Sequence, residues 1–349
     1  MSDQIEFLDL MERAETQRRA RRSFIRLCGG AAAMTGGLSL LAACDDEDND
    51  LIPAPTPSPT PSPTGTPTPA VSDADVLNFA LQLEYLEGNY YSYAVSGQGI
   101  PANLQTGAGT QGAVIAGTGG GAARKVEFSD RIVEQYAREI AFDELGHIGF
   151  LRRTLGNAAV AQPVINLSGS ATVTVGNATP VGAFTAAARA AGVIGPNDIF
   201  DPFANDENFL IGSYLLTDVG VTAYRGSARL ITNKTFLEAS AGILATECYH
   251  DGVIRSELWR RGLTVPSIYT RITQISNARD GLDGSSDTDQ DIGTAATANL
   301  VPTDAGGLVL GRTAPQVLNV VYQNRAAVTA GGFFPAGVNG TIRTSAANG

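Results

Sequence analysis

Apolar residues recur with helical spacing in four stretches between Ser72 and Gly262, each bounded by capping chemistry. The first runs from Val76 toward Tyr93, opened by Ser72 with Asp75 and closed by Gly97 and Gly99. Ser129 stands where it would cap the second, from Asp130 to Leu155, and Gly156 stops it. A third opens at Asn205 or Asp206 and continues to Ile231. Thr235 with Glu238 has capping-box spacing for the fourth, which runs to Arg261 and ends at Gly262. Only Thr232 to Lys234 separate the third from the fourth, whereas Gly156 to Ala204 lie between the second and third. Two helical hairpins joined by one long crossover predict an all-α four-helix bundle over residues 72–262.

The connecting segments are unusual. A glycine-rich insertion from Val95 to Phe128 replaces the short turn expected in the first hairpin. Within the crossover, Val and Thr alternate over 171–175, and 182–192 has the pattern of a short helix. Residues 263–349 form a C-terminal extension of irregular pattern, in which Pro315 to Tyr322 suits either a short strand or a helix. The turn Gly331-Gly332-Phe333-Phe334-Pro335 carries two large apolar groups that need cover. The acidic run from Asp280 to Asp291 lacks EF-hand ligand spacing and a terminal Glu, so it reads as an exposed polar loop rather than a calcium site.

Charged residues make up 17% of the chain, below the roughly 25% of an average soluble protein. The net charge is -11, only Lys125 and Lys234 are lysines, and no basic cluster follows residue 26. That excludes a nucleic-acid partner, which needs concentrated positive charge. The arginines that do cluster precede an apolar run from Leu27 to Ala43, which has the form of a bacterial export signal. Arg21-Arg22-Ser23-Phe24-Ile25 resembles a twin-arginine signal, and Leu41-Ala42-Ala43-Cys44 a lipoprotein box in which Cys44 is lipidated. Eight prolines between Pro53 and Pro69 favour an extended spacer over residues 44–71. An extracytoplasmic, lipid-anchored protein is expected, with the membrane as its partner through that anchor.

Histidine carries most of the chemical information. The chain has two, His147 and His250, and each follows a Glu by three positions, Glu144 and Glu247. This Glu-x-x-His pair is a metal-binding motif of helical bundles. Ile140, Glu144, His147 and Leu151 have the same relative spacing as Ile243, Glu247, His250 and Ile254. Those offsets share one helical stripe, so both acids are expected to face the bundle interior. The first helix offers Glu84, or Glu87 one turn on, and the third offers Asp218, the only acid between Glu207 and Glu238. Arg225 could pair with Asp218 instead, or Tyr214 or Tyr224 could fill its place. Four carboxylates and two imidazoles would be neutralised by two divalent cations, and oxygen-rich ligation with one nitrogen per ion suits Fe or Mn better than Zn. Cys248 lies off the stripe, and Tyr85, Tyr90, Tyr91 and Tyr93 read as core residues.

Residues 78–87, Glu144 to His147, Asp218 to Tyr224, Glu247 to His250 and the Gly331 to Pro335 turn together resemble the ferritin-like superfamily, and within it the exported desiccation-related proteins. The resemblance implies that Glu144 and Glu247 bridge two metals, that His147 and His250 each cap one, and that Glu84 and Asp218 are terminal ligands. Asp in place of Glu on the third helix shortens the reach by one methylene. Oxidation of Fe(II), or consumption of peroxide or oxygen during stress, is the implied activity. The alternative is a protective envelope protein whose site holds a structural metal or none, and whose loops and tail bind a partner. A homo-oligomer fits either reading, although the large insertions would obstruct a storage cage.

Overall fold

The computed structural model describes residues 71–119, 121–285 and 287–348. Arg21, Arg22, Cys44 and the Pro-rich segment up to residue 70 lie outside them. Seven helices are present among the described residues: α1 Asp73–Ser96, α2 Arg131–Leu155, α3 Ala183–Ala190, α4 Asp206–Ser227, α5 Lys234–Gly262, α6 Ser267–Asp283 and α7 Ala314–Tyr322. None is long and apolar enough to cross a membrane.

The four long helices form the expected bundle. α1 packs on α2 and α4 on α5, and α1 also meets α4, as α2 meets α5. Val126 N–H donates to Ala94 O at one end of the first hairpin and Asn78 Nδ2 to Ala158 O at the other, so α1 and α2 run antiparallel. Ser72 and Asp75 form a reciprocal capping box, and Gly97 ends α1 in the left-handed region at φ 73°. Ser72→Ala is expected to cost about 1 kcal/mol in urea unfolding.

Two expected caps differ. Asp130, rather than Ser129, caps α2, because both Ser129 donors turn to the Asp206 carboxylate at the start of α4. Asn233 caps α5 through Thr235 N–H and Phe236 N–H, displacing the expected cap at Thr235 by two residues toward the N-terminus.

The crossover and the first insertion hold each other. Val114–Ile115 (β1) pairs in parallel with Ile165–Asn166 (β2), a pairing that the sequence pattern did not indicate. The Val and Thr alternation at 171–175 forms no strand beyond an isolated bridge between Val175 and Ala178.

α1 and α4 are buried on nearly all sides, whereas α2 and α5 keep one exposed face. A helix that is apolar all round requires cover on every side, and the C-terminal extension supplies it. Arg312 N–H donates to Thr222 O on α4, and Asn339 N–H to Gln82 Oε1 on α1. Phe333 and Phe334 are fully buried, with Phe333 edge-on to Phe184 of α3 at 5.1 Å. The extension is thus an integral layer of the bundle, and it contains a 17-residue helix, α6.

Candidate metal centre

Three helices bring the candidate ligands together. α1 contributes Glu84 and Glu87, α2 contributes Glu144 and His147, and α5 contributes Glu247 and His250, all buried. The stripe neighbours Ile140, Leu151, Ile243 and Ile254 are buried as well, which aims both Glu-x-x-His pairs inward. Ligand atoms of Glu84, Glu144, His147 and Glu247 all lie within 4.8 Å of one another. His147 Nδ1 is 3.2 Å from Glu84 Oε2 and 3.3 Å from Glu247 Oε1. His250 Nδ1 lies 3.2 Å from Glu144 Oε1 and 3.9 Å from Glu247 Oε1. Each histidine therefore faces the glutamate of the opposite Glu-x-x-His helix. On its other side, His250 Nε2 approaches Asp143 Oδ2 at 3.4 Å, a contact that favours the tautomer with a free Nδ1 lone pair.

Asp218 does not join this group. Its carboxylate accepts from Arg255 Nη1 at 2.9 and 3.0 Å and from Arg279 Nη2 at 2.7 Å. Despite burial, the two guanidinium groups hold its pKa below the ordinary aspartate value. The expectation that Asp218 is a metal ligand is therefore corrected: its charge is already neutralised by the protein. The partners are also not Arg225, the candidate suggested by helical spacing. The acidic run is corrected with it, because Asp283 and Asp289 are buried and both pair with Arg312.

α4 contributes instead a hydroxyl and a space. Tyr224 donates to Glu84 Oε1 at 2.5 Å. Gly220 faces Glu87 and Glu247, and a Cβ there would sit 2.7 Å from Glu87 Oε1. Glu87 had a signal in the sequence, since it follows Glu84 by three positions and shares its face. Gly220 had none, because a glycine in a helix does not reveal which neighbour needs its room.

The electrostatics are those of acids crowded out of water. Burial, and then the surrounding carboxylates, push both Glu87 and Glu144 well above the usual carboxylate range. Burial also opposes charge on Glu84, but His147 and the Tyr224 hydroxyl outweigh it and its pKa falls. His147 shows the converse, with burial overcome by Glu84 and Glu247 so that it is pushed up to about 11. Both oxygens of Glu144 and of Glu247, together with Glu87 Oε2 and His250 Nδ1, are buried without hydrogen-bond geometry to any protein group. Such atoms are costly unless something binds them. Oxygen donors in excess and one imidazole on each side fit a pair of divalent ions and make the cluster compatible with a di-metal site.

Comparison with known proteins agrees with this architecture. The chain is 28% identical over 214 residues to a desiccation-related protein of Craterostigma plantagineum, a match covering 59% of this chain and 62% of that protein. It is 25% identical over 285 residues to a ferritin-like catalase of Nesocodon mauritianus, covering 78% of this chain and 85% of the catalase. No solved structure gives a significant match. The ferritin-like domain matches residues 72–259, which span α1 to α5 and every residue of the cluster. With more than half of its length matched and its buried Glu-x-x-His helices facing each other, the chain belongs to the ferritin-like domain family.

Proposed function

We propose that this chain is a di-metal oxidoreductase, carrying Fe or Mn, that consumes hydrogen peroxide outside the cytoplasm. The observation that carries the reading is the crossed pairing of His147 with Glu247 and of His250 with Glu144. It places two nitrogen donors on opposite sides of shared carboxylates. The likeness to a ferritin-like catalase favours peroxide over ferrous iron as substrate. Export by a twin-arginine signal at Arg21 and Arg22, and tethering through Cys44, complete the proposal on sequence grounds.

Glu84, Glu144, His147, Glu247 and His250 would hold the metals, which supply the one-electron steps needed to oxidise one peroxide and reduce another. The remaining work falls to the chain. Tyr224 fixes Glu84 by donating to Oε1, leaving Oε2 turned toward His147. Two small cavities, one bordered by Tyr224 with Phe79 and Ala80 and one bordered by Glu87 with Leu86 and Val219, are lined mainly by apolar groups.

His147→Ala is expected to lower peroxide consumption by at least about 100-fold and to reduce bound metal while keeping the helical content. The measurement is oxygen evolution alongside elemental analysis of protein exported by its own signal. Unchanged turnover in the variant, or a wild-type protein without Fe or Mn, would overturn the reading. The likeness to a desiccation-related protein supports a second reading, a protective envelope protein without turnover. In that case chelation leaves thermal stability unchanged and no oxygen is evolved.

A further inference from the structure

We propose that Glu87 of α1, rather than any acid of α4, is the fourth carboxylate ligand of the centre. The inference rests on the di-metal reading above and assigns a residue to it. Glu84 and Glu87 are three positions apart on one helix and both are buried, at 3% and 6% exposure. α1 thereby carries a Glu-x-x-Glu pair that matches the Glu-x-x-His pairs of α2 and α5. The centre is built from three helices with two ligands each, and α4 closes it without a ligand of its own.

Three observations independent of the spacing support this assignment. First, Glu87 Oε2 is buried without a partner. The cavity beside it is lined by groups such as Leu83, Leu216, Val320 and Phe333, and none of its lining residues is positively charged. Nothing in that wall can neutralise a carboxylate, so a counter-charge for an ionised Glu87 can come only from the cluster side.

Second, the backbone of α4 makes room for Glu87. A Cβ at Gly220 would lie 2.7 Å from Glu87 Oε1 and 3.2 Å from Glu247 Oε2. Both carboxylates thus approach the same point, and even an alanine there would displace one of them. Third, Asp218 is unavailable, since Arg255 and Arg279 already neutralise it.

The test uses the full chain and reads Mn(II) stoichiometry and affinity by elemental analysis and by electron paramagnetic resonance titration of free Mn(II). Wild type is expected to hold two ions. Glu87→Gln, close to isosteric, is expected to hold one, or to bind the second about 100-fold more weakly. Gly220→Ala should cause the same loss by displacing Glu87. The double variant Glu87→Ala with Gly220→Glu, which returns a carboxylate from α4, should recover the second ion. Asp218→Asn should keep both. Two ions at wild-type affinity in Glu87→Gln and in Gly220→Ala overturn this assignment and leave the di-metal reading standing. A wild-type protein that binds no metal overturns both.

Discussion

Replacing Arg279 by alanine is expected to lower the stability of the fold by about 3 to 5 kcal/mol while leaving every residue of the metal cluster in place. Arg279 is 3% exposed and joins Asp218 at 2.7 Å to Asp289 at 2.6 Å. It is the middle of a buried chain of alternating charges. Arg255 continues from Asp218 on α5, and Arg312 links Asp289 to Asp283. Asp251, 4.0 Å from Arg255, is pushed well above its ordinary pKa, first by burial and then by Asp218. Within the ladder itself, the guanidinium groups of Arg255, Arg279 and Arg312 meet the three carboxylates of Asp218, Asp289 and Asp283. Removing the central cation leaves Asp218 with Arg255 alone and Asp289 with Arg312 alone, so three buried carboxylates share two guanidinium groups, and the uncompensated charge costs far more than the intact ladder contributes over an apolar core. Thermal unfolding should move down by roughly 10 °C. A change in urea-derived stability below about 1 kcal/mol would show that water or rearrangement compensates the two acids and that the extension is not locked to α4 through them.

A second large effect concerns the cluster without metal. His147 has a folded pKa of about 11, above its usual 6.5. Its contribution to stability is therefore full below about pH 6.5 and is lost as pH rises toward 11. Glu87 and Glu144 act in the same direction, because acids with raised pKa favour the folded state when protonated and disfavour it once they must ionise. Glu84, whose pKa is lowered, contributes above its ordinary value and loses that contribution only in acid. Metal-free protein should consequently melt at progressively lower temperature from neutral pH upward. Binding of Mn(II) or Fe(II) requires the same groups deprotonated, so metal should stabilise most at alkaline pH and least near pH 5. Glu144→Gln should abolish that metal-dependent rise and flatten the pH dependence of the metal-free protein. Calorimetric melting between pH 5 and pH 10, with and without metal, distinguishes the cases. Identical melting curves across the series would mean that the four glutamates do not share one ionic environment.

Much of the centre was legible along the chain because helices repeat. Offsets of three, four and seven place Glu144 with His147, and Glu247 with His250, on faces flanked by aliphatics, and no tertiary knowledge is needed to see that these acids point inward. Helix boundaries were legible to within a turn, and the two displaced caps show where competition intervenes. Ser129 could cap α2 from its position, yet the Asp206 carboxylate offers its donors a better acceptor. The assignment of Asp218 failed for a similar reason. Its stripe does face inward, as Tyr214 and Val221 are buried with it. An inward direction, however, says nothing about which charge waits inside, and Arg279 comes from 61 residues away in an extension without a readable pattern.

The sequence by itself determined the four long helices, their pairing as two hairpins and the two inward-facing Glu-x-x-His pairs, Glu144 with His147 and Glu247 with His250, while it left the first helix with Glu84 or Glu87 and offered Asp218 from the third long helix. These follow from local periodicity and from the scarcity of histidine. Only the tertiary structure decided that Glu87 is buried beside Glu247 where Gly220 leaves space, that Asp218 is held in an arginine ladder and that residues 263–349 cover α1 and α4. Each of those depends on which distant group occupies a shared volume or neutralises a shared charge. Such competition is settled by packing in three dimensions and leaves no period along the chain.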